Sequence, residues 1–93
     1  MFTLIHRSRG NPDRFFRNMM KWQEENRNFQ YIVCLDHHDP DIKYYLNYIA
    51  QYGLDNLEVI SEWIPPRELK EFASYKKVMI VDDSFEPVKI VGL

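Results

Sequence analysis

The sequence predicts an α/β fold, a three-layer sandwich around a small, mostly parallel sheet of four or five strands. Short apolar segments rich in β-branched residues alternate along the chain with segments whose apolar residues recur every three or four positions. One strand, Phe29–Leu35 (FQYIVCL), is apolar almost throughout, which is typical of a parallel strand covered on both faces. Strands that alternate with helices imply parallel crossover connections with helices packed on the sheet.

Each element has its own local signal. A helix is predicted after Asn11-Pro12-Asp13, because Asn caps a helix, Pro fits its first turn and Asp suits its positive end. The same pattern recurs at Asp39-Pro40-Asp41, and Gly53 ends the second helix. In chain order we expect strand Phe2–His6, helix Pro12–Asn26, strand Phe29–Leu35, a helix over residues 40–52, strand Leu57–Ile60, helix Pro66–Ser74, strand Lys77–Val81 and a candidate fifth strand at Val88–Val91.

Length and composition restrict the class of protein. Ninety-three residues with 45% hydrophobic and 28% charged residues fit one globular domain, residues 1–93. No apolar run is long enough to span a membrane, and the single cysteine, Cys34, fits a reducing compartment, so we expect a cytoplasmic protein with no membrane partner. The net charge is −2 and the Lys/Arg excess is confined to residues 1–27, so we expect no binding to duplex nucleic acid.

Polar side chains gather in the loops that follow the predicted strands. The first strand is followed by Arg7, Ser8 and Arg9, the second by Asp36, His37 and His38, and the fourth by Asp82 and Asp83. These loops lie along one edge of a parallel sheet, where ligands bind. Arginine suits phosphate oxygens, carboxylates accept hydrogen bonds from ribose or base groups, and the amino ends of the two long helices offer N–H groups to an anion. The pattern predicts a nucleotide site.

Three segments carry a resemblance to a known family. They are FTLIHRSRGNPDRF with arginines after the first strand, FQYIVCLDHHDP with an acid ending the second, and MIVDDSFEP with a late acidic pair. Their order and spacing resemble the N-terminal nucleotide-binding half of glycosyltransferases with the A-type fold, in particular the family 2-like group. The resemblance implies that Arg7, Arg9 and Asp36 hold the nucleoside and that Asp82 and Asp83 bind Mg²⁺ or Mn²⁺ on a diphosphate. Here the acids are adjacent rather than spaced as D-x-D.

The sequence leaves two functions open. The family's acceptor half is not among these residues, which favours binding of a nucleotide or nucleotide-derived ligand without catalysis, as in a small inhibitor that sequesters nucleotide signals. The alternative is a minimal or fragmentary glycosyltransferase that uses a UDP- or GDP-sugar. We also expect a homo-oligomer, because Tyr44 and Tyr48 lie off the apolar face of the second helix and a small sheet has open edges.

Overall fold

Four strands form one all-parallel sheet with the order β3-β2-β1-β4. The computed structural model describes residues 1–91 of the chain. Within them, no helix is both long and apolar enough to cross a membrane. The elements are β1 (Thr3–Ser8), α1 (Pro12–Glu25), β2 (Gln30–Leu35), α2 (Ile42–Tyr52), β3 (Leu57–Ile60), α3 (Pro66–Leu69) with a 3₁₀ turn (Lys70–Phe72), and β4 (Val78–Val81).

The two faces of the sheet are covered by different helices. Because side chains alternate along a strand, Leu4 and Ile5 of β1 enter separate apolar clusters. Leu4 packs in the larger cluster with Phe15 of α1 and Tyr45 of α2, whereas Ile5 packs with Leu69 of α3. All five side chains are fully buried. The α/β sandwich around a parallel sheet is therefore confirmed, with the thicker layer on the side of α1 and α2.

Three predicted boundaries were wrong. The first strand continues through Arg7 and Ser8, because both positions pair in register with β2 instead of starting a loop. The third helix ends early, and Phe72 is about half exposed instead of facing inward. Residues 88–91 form no strand in the described chain, so the sheet has four strands.

The segment after β4 is held by one buried side chain instead of by a sheet. Asn26 directly follows α1 and is only 6% exposed. Its amide nitrogen donates to the carbonyl of Val88 (2.9 Å) and to that of Trp22 (3.2 Å), and its Oδ1 accepts from the N–H of Ile90 (2.8 Å). The Asn26 amide therefore supplies residues 88–90 with hydrogen bonds that strand pairing was expected to supply.

Helix α2 does not expose both of the tyrosines that the sequence predicts. Tyr44 is 59% exposed, as expected, but Tyr48 is partly buried because its ring stacks on Phe16 with the ring centroids 4.5 Å apart. The Tyr48 hydroxyl donates to Asp13 (2.9 Å), and this hydrogen bond is the largest cause of a raised Tyr48 pKa. Tyr48 thus joins α2 to α1 within one chain, and the expected homo-oligomer stays a prediction.

Replacing Asn26 by Ala should lower the free energy of unfolding by about 1 to 3 kcal/mol, because the Ile90 N–H and the Val88 carbonyl each lose a hydrogen bond. Urea denaturation measures this change. Asn47→Ala, at an exposed position of α2, is the matched control and should stay within about 0.5 kcal/mol of the parent protein. Equal stability of the two variants would show that Asn26 does not anchor the segment.

Candidate functional site

A cleft opens where the strand order reverses, between the carboxyl ends of β1 and β4. In open α/β sheets this is the place where ligands bind. The cleft has a volume of about 350 Å³, at the low end of the range for small-molecule sites. We call it the arginine cleft, since its lining includes three arginines with a tryptophan and two acids: Arg7, Arg9, Arg14, Trp63, Asp82 and Asp83.

The floor of the cleft is a buried chain of hydrogen bonds that ends on the carboxylate of Asp83. The Nε2 of His6 lies 2.8 Å from Asp83 Oδ1, and the hydroxyl of Ser8 donates to Oδ2. On the far side of the imidazole, Nδ1 lies 2.8 Å from the hydroxyl of Tyr31. His6 is fully buried and Ser8 is 3% exposed. Burial is the largest cause of a pKa of Tyr31 well above its ordinary value, and the charge of Asp83 adds to the rise.

The directions of these bonds follow from the number of protons. An ionised carboxylate can only accept hydrogen bonds. His6 Nε2 therefore carries a proton, and the Ser8 hydroxyl donates its single proton to Asp83. The hydroxyl of Tyr45, 2.9 Å from Ser8 Oγ, therefore donates to Ser8, and it accepts in turn from the backbone N–H of Asn11 (2.9 Å). Hydrogen bonds thus connect β1, β2, α2 and the segment after β4 to one carboxylate.

This arrangement contains Ser, His and Asp but differs from a catalytic triad. In a triad the histidine lies between the serine and the acid and takes the serine proton. Here His6 and Ser8 both donate to Asp83, one to each oxygen, and neither bonds to the other. With the imidazole fully buried and its Nδ1 facing Tyr31, His6 has no free position from which to act on a substrate.

Arg7 and Arg9 both lie over the ring of Trp63. Their guanidinium carbons are 4.1 Å and 4.6 Å from its centroid, which is cation–π distance. Contrary to prediction, Arg7 and Ser8 do not share a loop. Strand alternation sends Ser8 to the α1–α2 face and Arg7 to the other face, where Trp63 packs. The Nε of Arg7 is buried and, among the described residues, has no hydrogen-bond partner.

The loop after β2 borders the cleft without lining it. Asp36 lies 3.6 Å from Arg9, and the backbone N–H of His38, more than Arg9 itself, lowers the Asp36 pKa. His37 and His38 are exposed, with their ring centroids 3.9 Å apart. Neither lines the cleft, so the structure separates them from the predicted arginines.

Asp39 ties the loop after β2 to the loop after β1. Expected to cap α2, it instead accepts the N–H of Gly10 (2.7 Å) with Oδ2 and that of Asp41 (2.8 Å) with Oδ1. Gly10 has a φ of +75°, a conformation that favours glycine. The bond fixes the turn that carries the chain from the cleft into α1.

The two predicted metal ligands face different partners. Asp82 is exposed and accepts from the hydroxyl (2.5 Å) and the N–H (2.8 Å) of Ser84, and these bonds lower its pKa. Asp83 instead faces His6 and Ser8. Within residues 1–91, no group of three or more His, Cys, Asp or Glu side chains could hold a metal ion. A Mg²⁺ or Mn²⁺ site at these two acids stays a prediction, and it would need ligand oxygens to complete the coordination.

Several backbone N–H groups at the amino ends of the two long helices are bound within the protein. At α1, the N–H of Asn11 is bound to Tyr45, Pro12 has none, and the N–H of Arg14 is capped by the Asn11 side chain (3.3 Å). At α2, the N–H of Ile42 is bound to the Asp39 carbonyl (3.0 Å). These N–H groups are therefore not free to bind an anion.

Three residues of the site were not predicted, His6, Trp63 and Arg14, and each left a signal in the sequence. His6 lies in a strand predicted to be core, so it needed a buried polar partner. Trp63 follows the carboxyl end of β3, the edge at which ligand sites form. Arg14 lies in the first turn of α1, beside that same edge.

Comparison of the chain with protein-family models, with curated proteins and with solved structures finds no match in any of the three. Fold and site together define a small α/β domain with an arginine-lined cleft at the carboxyl edge of a parallel sheet.

Asp83→Asn should lower the free energy of unfolding by about 2 to 3 kcal/mol, since the new amide N–H₂ would face a buried donor, from His6 or Ser8. Asp82→Asn removes a charge at the exposed neighbouring position and should cost less than about 1 kcal/mol. Chemical denaturation of both variants tests this contrast. Similar losses of stability in the two variants would mean that Asp83 does not organise the buried hydrogen bonds.

Proposed function

We propose that this domain binds a nucleotide or nucleotide-derived ligand in the arginine cleft and does not turn it over. The observation that carries the proposal is the convergence of Arg7, Arg9 and Arg14 on one cleft at the point where the strand order reverses. Guanidinium groups bind phosphate oxygens through paired N–H donors. The stacked geometry on Trp63 holds two of these groups in place before a ligand arrives, which reduces the entropy lost on binding.

The remaining polar groups suit the rest of a nucleotide. Asp82 is exposed in the cleft and has a lowered pKa, so it is ionised at neutral pH and can accept hydrogen bonds from ribose hydroxyls or base N–H groups. A ligand with phosphates alone would be repelled by Asp82 and Asp83. The mixture of arginines and acids therefore favours a ligand that has both phosphates and hydrogen-bond donors.

Binding without turnover is favoured over the alternative, transfer from a UDP- or GDP-sugar. Both oxygens of Asp83 already accept hydrogen bonds, and His6 is fully buried. Among the described lining residues this leaves the carboxylate of Asp82, and its lowered pKa makes it a weak base. A relationship to glycosyltransferases, assistance by Mg²⁺ or Mn²⁺, and sequestration of nucleotide signals belong to the same proposal and are tested with it.

Arg14→Ala should weaken binding of UDP or GDP by about 1.5 to 3 kcal/mol, the range for hydrogen bonds to charged groups. This corresponds to an increase in Kd of roughly 10- to 150-fold. Arg14 is exposed and does not stack on Trp63, so its removal leaves the Arg7 and Arg9 contacts intact. Isothermal titration calorimetry, with and without Mn²⁺, measures the change.

Two further variants complete the test. Arg7→Ala should cause a loss of affinity of similar size. Lys76→Ala, just before the amino end of β4 and away from the carboxyl edge, should bind like the parent protein. Parent-like affinity in both arginine variants, or no binding of any nucleotide by the parent protein, would refute the proposed site. Conversion of a UDP- or GDP-sugar over many turnovers would favour the enzyme instead.

A further inference from the structure

A second groove continues the arginine cleft along helix α1. It has a volume of about 350 Å³ and shares Arg14 and Asp83 with the arginine cleft. We call it the α1 groove. Beyond the shared residues, its lining includes Arg17, Lys21, Phe85 and Glu86. One continuous surface therefore runs from Trp63 past Arg14 to Lys21.

The cations of this surface form a line. Arg14, Arg17 and Lys21 are spaced by three and four residues on α1, which places them on one face of the helix. Among the salt bridges of the described residues, only the exposed Lys21–Glu86 pair (3.4 Å) lies in this groove. Such a pair contributes little and can be exchanged for a phosphate. Arg14 and Arg17 have no carboxylate within 4.0 Å in residues 1–91.

The groove also offers an aromatic surface. Phe85 is 41% exposed, and its inner contact is with Trp22, whose ring lies nearly parallel to it with the centroids 6.0 Å apart. Because Trp22 supports one face of the Phe85 ring and the residue is partly exposed, a base of any type can stack on Phe85.

We propose that the arginine cleft and the α1 groove together bind a short single-stranded oligonucleotide, with one nucleotide in the cleft and the following phosphates along Arg14, Arg17 and Lys21. This inference rests on the proposed function for its first nucleotide. Aligned cations with aromatic rings are the features that bind single strands without base specificity. The acids Asp83 and Glu86 disfavour a plain polyanion, and the exposed Glu86 can accept hydrogen bonds from bases. A duplex fits poorly, because only one line of cations is present and the net charge is −2.

The test compares dTMP with a fluorescently labelled oligothymidylate of about ten residues, which cannot pair with itself. By anisotropy and competition, the oligonucleotide should bind about tenfold more tightly than dTMP at equal salt. The slope of log K against log salt should be about −2 to −3.5, as expected when three to five phosphates are neutralised at roughly 0.7 each.

Charge reversal locates the contact. Arg17→Glu and Lys21→Glu should each weaken oligonucleotide binding by about tenfold and leave dTMP binding within about twofold, because the mononucleotide stays in the arginine cleft. Lys76→Glu makes the same charge change just before the amino end of β4, away from the carboxyl edge, and should have little effect on oligonucleotide binding.

The outcomes are distinguishable. Equal affinity for dTMP and the oligonucleotide, or an equal effect of Lys76→Glu, would overturn the extended site and leave the nucleotide site standing. Linear polyphosphate that binds as tightly as the oligonucleotide would overturn the assignment to nucleic acid. Failure of both dTMP and the oligonucleotide to bind, together with failure of UDP and GDP, would refute the proposed function itself.

Discussion

The functional edge of this domain depends on the hydrogen bonds that the carboxylate of Asp83 accepts from His6 and Ser8. Strand β4 is an edge strand paired only with β1, and residues 82–91 that follow it form no helix. Asp83 joins that segment to the centre of the fold through His6 and Ser8. Removing one partner of a buried charged hydrogen bond costs more than the bond contributes, because the remaining group is left without a partner. The network therefore specifies the position of the loop after β4 as well as stabilising it.

This constraint explains how so small a domain can present a formed cleft. One wall, the loop after β4, is held by Asp83 from below and by the side-chain amide of Asn18, which donates to the Asp83 carbonyl (3.0 Å). The other wall is held by packing, since Trp63 fixes two guanidinium groups. At the amino end of α1, the N–H groups of Asn11 and Arg14 are bound within the protein. Anion recognition by side chains, followed by a line of cations on α1, is the common basis of both proposed functions.

The alternation of helices with apolar strands was sufficient to predict the parallel sheet, because burial on both faces leaves a clear pattern in β2. The end of β1 was not predictable in the same way. Arg7 and Ser8 look like loop residues, yet each has a tertiary partner that allows it to stay in the strand, Trp63 for one and Asp83 for the other. The strand predicted at residues 88–91 was wrong for the opposite reason. Their apolar sequence resembles a strand, but the backbone of Val88 and Ile90 bonds to the Asn26 side chain. In each case the deciding contact is distant in sequence.

The His6 ring provides the most direct measurement of the hydrogen bonds to Asp83. Long-range ¹H–¹⁵N correlation NMR of the imidazoles should show a slowly exchanging proton on Nε2 of His6, since that atom donates to Asp83 in a fully buried position. The exposed rings of His37 and His38 serve as internal references and should exchange rapidly with water. A slowly exchanging Nε2 proton that disappears in Asp83→Ala, which removes both acceptor oxygens, is the result expected here. A His6 ring protonated only at Nδ1, or exchanging as fast as His37 and His38, would show that His6 does not donate to Asp83.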